Sequence, residues 1–335
     1  MTDDSDNISQ KFLEEIKNTD VSDIENPHDR LFKWSLGRPD VMMEYLDLML
    51  PEDLANALNF KALDSTKANY VDDLIGETFS DLVYTINKST GEEAVISLLF
   101  EHKSSPDRIT PLKLLRYITN AYFDNFKDGK TMQIIPILFY HGSGNWNIPR
   151  KLSEVLDGDI SPFEDHTPEF EYIFTDLDEA VELIEDTTAP EIRVYFKATQ
   201  IARTEDIKLA RKRYEECLDI FSEPGWTSEI LNIRFYQVTN LYIAKVSALA
   251  REINIIEIAK DKNPERSEDL MVINNKIEED KVKRILKRQL GNKFSMQLPP
   301  EIETKIENAD PEKIEQLVDK IFEIDSLEDV RKILE

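Results

Sequence analysis

The sequence predicts an α/β protein: a mixed central sheet flanked by helices, followed by a helical C-terminal region. Two apolar runs, Asp81 to Ile86 and Ala94 to Phe100, are rich in Val, Ile, Leu and Tyr and enclose Asn87-Lys88-Ser89-Thr90-Gly91, which is the signature of a β-hairpin. Met132 to Tyr140 is a continuous apolar run and therefore a strand buried on both faces. From about residue 177 onward the periodic segments all read as helix.

Residues 1–25 read as a polar, acidic N-terminal tail with room for one short helix. Asn26-Pro27 opens the first helix, with the Asn26 side chain as cap and Pro27 in the first turn, where its missing N–H costs nothing. Gly37 and Pro39 interrupt this segment, so it divides into two short helices ending before Pro51. After the hairpin, Thr110-Pro111 opens a helix whose apolar face is predicted to hold Leu112, Leu115, Ile118, Ala121, Tyr122 and Phe126. Glu171 to Thr175 reads as an edge strand. Strand, strand, helix, strand makes an α/β or α+β core with one crossover. Beyond it, Ser228 to Lys260 has few helix breakers, Ser267 to Leu290 is a long charged helix, and short helices follow around Pro299, Pro311 and Ser326. The predicted organisation is thus a tail (1–25), a core (26–200) and a helical accessory region (201–335).

No apolar run approaches the roughly 20 residues that a membrane span needs, and the N-terminus is acidic where a secretory leader is basic. The expectation is a cytoplasmic protein with no membrane association. A lone cysteine, Cys217, provides neither a disulfide framework nor a zinc site, and reads as an ordinary half-buried helix residue. The net charge of −26 opposes any general affinity for nucleic acid. Charge is uneven, however: basic residues gather at Lys103 to Arg116, Lys208 to Arg213 and Lys281 to Lys293.

The chemistry concentrates at one end of the hairpin. Side chains alternate along a strand, so Glu101 and Lys103 share a face that His102 does not. In a regular hairpin Asp81 starts one strand close to where Glu101 ends the other, and two opposed carboxylates repel unless a cation or a proton lies between them. A hard divalent cation such as Mg²⁺, with Mn²⁺ as a substitute, takes oxygen ligands of this kind. Asp81 and Glu101 are therefore candidate catalytic and metal-ligating residues, with the His102 backbone carbonyl as a further ligand. Lys103 would orient or help deprotonate an attacking water and stabilise charge growing on a phosphate. The competing reading of the same residues is a strand-capping Asp81 and a Glu101–Lys103 surface pair worth about 0–1 kcal/mol.

An ordered set of motifs carries a resemblance: His28-Asp29 with Phe32-Lys33, Ser80-Asp81-Leu82-Val83-Tyr84, Glu101-His102-Lys103-Ser104-Ser105, Leu114-Leu115-Arg116-Tyr117, and Pro136-Ile137-Leu138-Phe139-Tyr140-His141-Gly142. From His28 to Thr175 the chain resembles the Rpn family, recombination-promoting nucleases with the PD-(D/E)XK fold that are also described as transposases. The C-terminal stretch with Lys287-Arg288-Gln289-Leu290, Leu298-Pro299 and Ser326-Leu327-Glu328 is similar to the helical ending of many members. The resemblance implies a restriction-endonuclease-like core, Mg²⁺-dependent DNA cleavage and a link to recombination or mobile elements. Asp81 would be the first acid of the motif, Glu101 the second and Lys103 its lysine. Ser80 stands where the family's proline would be, and Lys103 where members often carry glutamine.

Other candidates are weaker. Lys113, Arg116 and Asn120 fall at i, i+3 and i+7, a stripe that would contact DNA or support Lys103, or else face solvent. His28 and Asp29 read as caps of the first helix in preference to metal ligands. Glu44 could supply a third carboxylate, with surface placement the better reading. His141-Gly142-Ser143-Gly144-Asn145-Trp146 lacks the Lys-Ser/Thr of a phosphate-binding loop and reads as a tight strand exit that carries Trp146 onto the core. Four scattered histidines provide neither a Ser-His-Asp grouping nor a zinc set. Two functional classes follow: a DNA endonuclease whose basic helices guide the duplex, or a nuclease-fold scaffold acting through protein contacts. In either, the helical C-terminal region offers a route to homo-oligomers.

Overall fold

The computed structural model describes residues 14–21, 24, 26–58, 69–70, 82–87, 93–101, 106–124, 133–142, 144–185 and 188–334; in the first three strands it describes the backbone alone. The chain separates into two compact units, 1–265 and 266–335. The helices between 207 and 262 thus pack in the first unit, and the packing boundary falls well beyond the 200/201 division read from the sequence.

The described part of the first unit begins with a helical turn at 14–18, where Ile16 is buried and Glu15 pairs with Arg30, so the predicted tail is packed in this stretch; α1 (Pro27–Leu36), α2 (Pro39–Met49) and α3 (Glu52–Leu58) follow. As predicted, Asn26 caps α1, its Oδ1 accepting the Asp29 backbone N–H at 3.2 Å, and the chain breaks at Gly37-Arg38 before Pro39. Strands β1 (Asn69–Tyr70), β2 (Leu82–Asn87) and β3 (Glu93–Glu101) form an antiparallel meander, with Leu82 opposite Leu98 and Asn87 opposite Glu93. The crossover helix α4 (Thr110–Asp124) leads to β4 (Gln133–Tyr140), which is parallel to β3, and β5 (Ile173–Asp176) adds in parallel at the edge. The five strands lie in sequence order in one mixed sheet. Parallel neighbours require a long crossover connection, here the helix α4 between β3 and β4, since a two-residue turn cannot join them.

β4 explains why its sequence is apolar throughout. On one face, α4 packs Leu114, Tyr117 and Ile118 toward Leu138 and Ile134, together with Phe170 and Tyr172. On the other face, Phe139 stacks on Phe196 at 5.4 Å and lies against Tyr195 at 6.1 Å. Each such buried ring contributes about 1.5–3 kcal/mol by leaving water.

The apolar face predicted for α4 needs correction. Leu112 and Tyr122 are 46% and 40% exposed, Leu115 is half-buried, and Leu114 and Tyr117 take the inward positions. Apolar side chains extend around this helix well beyond the stripe that meets the sheet, leaving only the side with Lys113, Arg116 and Asn120 polar, so periodicity alone did not single out the inward positions. Phe126 lies outside the described residues.

On the second face α6 (Pro190–Arg203) meets Phe139, and the helices around it are α5 (Leu177–Glu182), α7 (Ile207–Ile220), α8 (Glu229–Val246), α9 (Leu249–Glu252) and α10 (Ile255–Lys262). α6 is buried along most of its length and packs against α1, α7 and α8. The 228–260 segment is three helices, because Ser247 and Asn254 each satisfy a following backbone N–H and restart the chain. Cys217 on α7 is fully buried, deeper than the half-buried position predicted.

The second unit consists of α11 (Ser267–Phe294), α12 (Pro300–Glu307), α13 (Pro311–Asp319) and α14 (Leu327–Leu334). Leu286 and Leu290 of α11 join Ile302, Ile306, Leu317 and Val330 in one core. No helix among the described residues is long and apolar enough to cross a membrane.

Candidate functional site

The parallel half of the sheet brings three chain ends to one edge. Glu101, the last residue of β3, is in register with Tyr140 at the end of β4, and Tyr140 is in register with Asp176 at the end of β5. This carboxyl edge of parallel strands is where open α/β sheets place their ligands. The β2–β3 ladder stops at Leu82, one residue after Asp81 in the chain. Asp81, His102 and Lys103 lie outside the described residues, and Glu101 is described by its backbone.

What surrounds the edge is well defined. After Tyr140 the chain turns through His141-Gly142, and a side chain at 142 would collide with the Tyr140 phenol, so glycine is the residue that fits. The predicted strand exit is observed: Trp146 stacks with Phe174 at 5.4 Å, lies 5.1 Å from Tyr140, and donates its indole N–H to the Tyr172 hydroxyl at 3.0 Å. Arg203, the last residue of α6, donates to the Gly142 carbonyl at 2.9 Å and pairs with Asp178. Asp176 caps α5 by accepting the Asp178 N–H at 2.8 Å. Arg203 thus ties the ends of β4 and α6 to the first turn of α5. Gly142→Ala is expected to destabilise the first unit by about 1–3 kcal/mol, the range for overpacking, measurable as a lower midpoint in urea.

His28 and Asp29 do not cap α1; Asn26 does. His28 is buried, stacks on His141 at 4.8 Å and meets Tyr242 edge-on at 5.0 Å, which brings the start of α1 to the end of β4. Asp29 pairs with Lys33 one turn on, at 3.5 Å. Glu44 is not a surface residue. It is half-buried and accepts the Ala189 N–H at 3.0 Å, at the start of α6. Arg203, at the carboxyl edge, is at the other end of this 14-residue helix, and α-helical rise separates the two ends by about 20 Å. Glu44 therefore serves a helix start and is remote from the edge where Glu101 ends.

In the α4 stripe, Arg116 and Asn120 are exposed, while the Lys113 ammonium pairs with Asp107 at 2.9 Å and is mostly covered. Cys217 has no nucleophilic character: burial pushes its thiol up to about 12, against the opposing influence of Lys197 and Arg193. Among the described residues no group of three or more His, Cys, Asp or Glu side chains is arranged to hold a metal ion. Sequence reasoning missed Arg203, Asp176 and the His28–His141 contact, because they join segments far apart in the chain.

Residues 26–223 match the family model described as "Putative transposase, YhgA-like". Recombination-promoting nuclease RpnA of Escherichia coli K12 is 31% identical over 118 residues, covering 35% of this chain and 40% of that protein. Recombination-promoting nuclease RpnD of Escherichia coli O157:H7 is 31% identical over 120 residues, 35% of this chain and 46% of the relative. The protein named inactive recombination-promoting nuclease-like protein RpnE, from Escherichia coli K12, is 29% identical over 119 residues, 35% of this chain and 40% of its own length. These alignments span less than half the length of each relative. No solved structure matches the chain. With well over half of its length under the family model, and with recombination-promoting nucleases among its relatives, the chain belongs to the YhgA-like, Rpn family of transposase-related proteins.

Proposed function

We propose that the chain is a metal-dependent DNA endonuclease that hydrolyses phosphodiester bonds, with a restriction-endonuclease-like core and a role in recombination or mobile elements. The observation that carries this reading is the position of Glu101: it closes β3 at the carboxyl edge of the parallel strands, in one row with Tyr140 and Asp176. The order of elements supports the fold assignment, since an antiparallel β1–β2–β3 meander followed by a helical crossover to a parallel β4 is the layout such a core requires.

The donor set fits a hard cation, being carboxylates from Asp81 and Glu101 with a backbone carbonyl from His102. A divalent cation held there supplies Lewis-acid stabilisation of charge on the phosphate. Asp81 and Glu101 bind and fix the cation relative to the sheet edge. Lys103 orients the attacking water, eases loss of its proton, and stabilises the growing negative charge. Arg203, through the Gly142 carbonyl, ties the neighbouring strand end to α6.

A second reading, a catalytically silent scaffold, is favoured by one observation: a relative of similar identity is named inactive. Conversion of supercoiled plasmid to nicked and linear forms separates the two. The endonuclease requires cleavage with Mg²⁺ or Mn²⁺ in low salt, none with chelator, and none from folded Asp81→Ala. Equal inactivity of all preparations, with no metal bound, would establish the scaffold.

A further inference from the structure

The sequence holds three basic clusters, and the structure separates them by how their charge is used. In the first, Arg108 pairs with Asp157 at 2.6 Å and Lys113 with Asp107, leaving Arg116 as the exposed cation among the described residues of that cluster. In the second, on α7, Arg211 pairs with Glu215 at 2.8 Å, Lys212 with Glu216 at 3.8 Å, and Arg213 donates to Thr204. Carboxylates of the same helix thus neutralise Arg211 and Lys212, whereas Lys208 is exposed and Arg213 meets only a neutral hydroxyl, so the second cluster keeps part of its charge.

The third cluster is different. From Lys281 to Pro300 there are six Lys or Arg residues and no Asp or Glu, in a chain of net charge −26. Four of the six have structural partners: Lys281 with Glu278, Lys283 with Glu279 and the Glu307 carbonyl, Lys287 with Glu307, and Lys293 with the carbonyls of Ile321 and Phe322. Arg284 and Arg288 are exposed, and no acidic side chain among the described residues pairs with either. One turn apart, they continue in the same line to exposed Asn292. Arg288 and Asn292 also line an open concavity of about 670 Å³, with Lys287, Ser295 and Gln297 on its wall and one carboxylate, Glu303, among them.

We infer that Arg284, Arg288 and Asn292 of α11 form a contact surface for the phosphate backbone of duplex DNA. The inference rests on the nuclease reading above and assigns to the second unit a part in holding the substrate. Three positions four residues apart span about 12 Å at helical rise, a length over which one strand of B-DNA presents three to four phosphates at about 3.4 Å each. Guanidinium groups and an amide are the donors that phosphate oxygens accept, and contacts of this kind set position without reading sequence.

The test is fluorescence anisotropy of the full chain with a labelled 30-base-pair duplex in chelator, across about 50–200 mM salt, the range in which phosphate contacts dominate affinity. Arg284→Ala/Arg288→Ala should weaken binding roughly tenfold or more and flatten the slope of log K against log[salt] by about 1.8, two contacts at about 0.9 each. Arg211→Ala, at an arginine already paired with Glu215, should leave the slope unchanged. Both arginines are exposed, so equal melting temperatures confirm that folding is intact. A double variant with the wild-type slope, or a wild-type chain that does not bind duplex at 50 mM salt, overturns the surface. The two readings fail separately: an unchanged slope with metal-dependent cleavage intact removes this surface and keeps the nuclease, whereas a flattened slope without any cleavage keeps the surface and removes the nuclease.

Discussion

Asp81→Asn and Glu101→Gln should each remove plasmid cleavage by removing the metal, and Lys103→Ala should lower the cleavage rate by about 10²–10³-fold with metal binding retained. The first two substitutions keep side-chain shape and delete a charge, so the hairpin has no packing reason to fail. What they delete is the formal negative charge that offsets dehydration of a hard dication. On the proposed mechanism Lys103 acts later in the reaction. An ammonium placed where charge grows in the transition state is comparable to one preorganised donor, and loss of such a donor costs about 10²–10³-fold in turnover. Calorimetric titration with Mn²⁺ distinguishes the roles: no heat for the carboxylate variants, near-normal heat for Lys103→Ala. Wild-type metal binding in Asp81→Asn would sink the assignment of that residue.

Arg38→Met should destabilise the first unit by about 3–5 kcal/mol, the range for a buried pair broken on one side. Arg38 is buried at the α1–α2 break and donates to Glu191 at 2.7 Å and Thr227 at 2.7 Å, while pairing with Asp40. Glu191, 2% exposed, lies in the first turn of α6. Burial raises its carboxyl above the usual range even with Arg38 opposing that shift. A carboxyl whose folded value is raised binds its proton more tightly folded than unfolded. Its stabilising effect is therefore complete below the unfolded value of about 4.3 and is lost as pH rises through the folded value. Without the guanidinium that value rises further, so Arg38→Met should lose more stability at pH 7 than at pH 5. Urea midpoints at the two pH values measure the difference. Arg38→Met/Glu191→Leu should recover most of the loss, because no charge is then left buried. Equal midpoints for wild type and Arg38→Met would remove the pair from the list of interactions that hold the unit.

The elements that were legible in the sequence are those with one strong local signal. Asn26-Pro27 marked the start of α1, Gly37 and Pro39 marked its separation from α2, and the uninterrupted apolar run to Tyr140 marked a strand covered on both faces. The α4 face was misread because the apolar side of that helix is wider than the stripe that meets the sheet. The roles of His28 and Glu44 were misread for a different reason. Their partners, His141 and the Ala189 N–H, are more than 100 residues away, and no local pattern reports such a contact. Arg203 was missed likewise: its value comes from reaching Gly142 and Asp178 together, which only the fold reveals. The Asp81, Glu101 and Lys103 set is a proposal from alternation and family resemblance; Asp81 and Lys103 lie outside the described residues, and the register supplies only the row in which Glu101 ends.

The burial of Cys217 has a practical consequence. The chain carries one thiol, and it is sealed within the first unit with its proton held up to about 12. A disulfide reagent added to the folded protein finds nothing to attack until α7 opens, at which moment a single, stoichiometric chromophore is released. The rate of that release becomes a clock for how often the helical layer breathes, readable in a cuvette without any label. Slowing of the clock by metal or by DNA would show that what happens at the sheet edge is felt in the layer behind it.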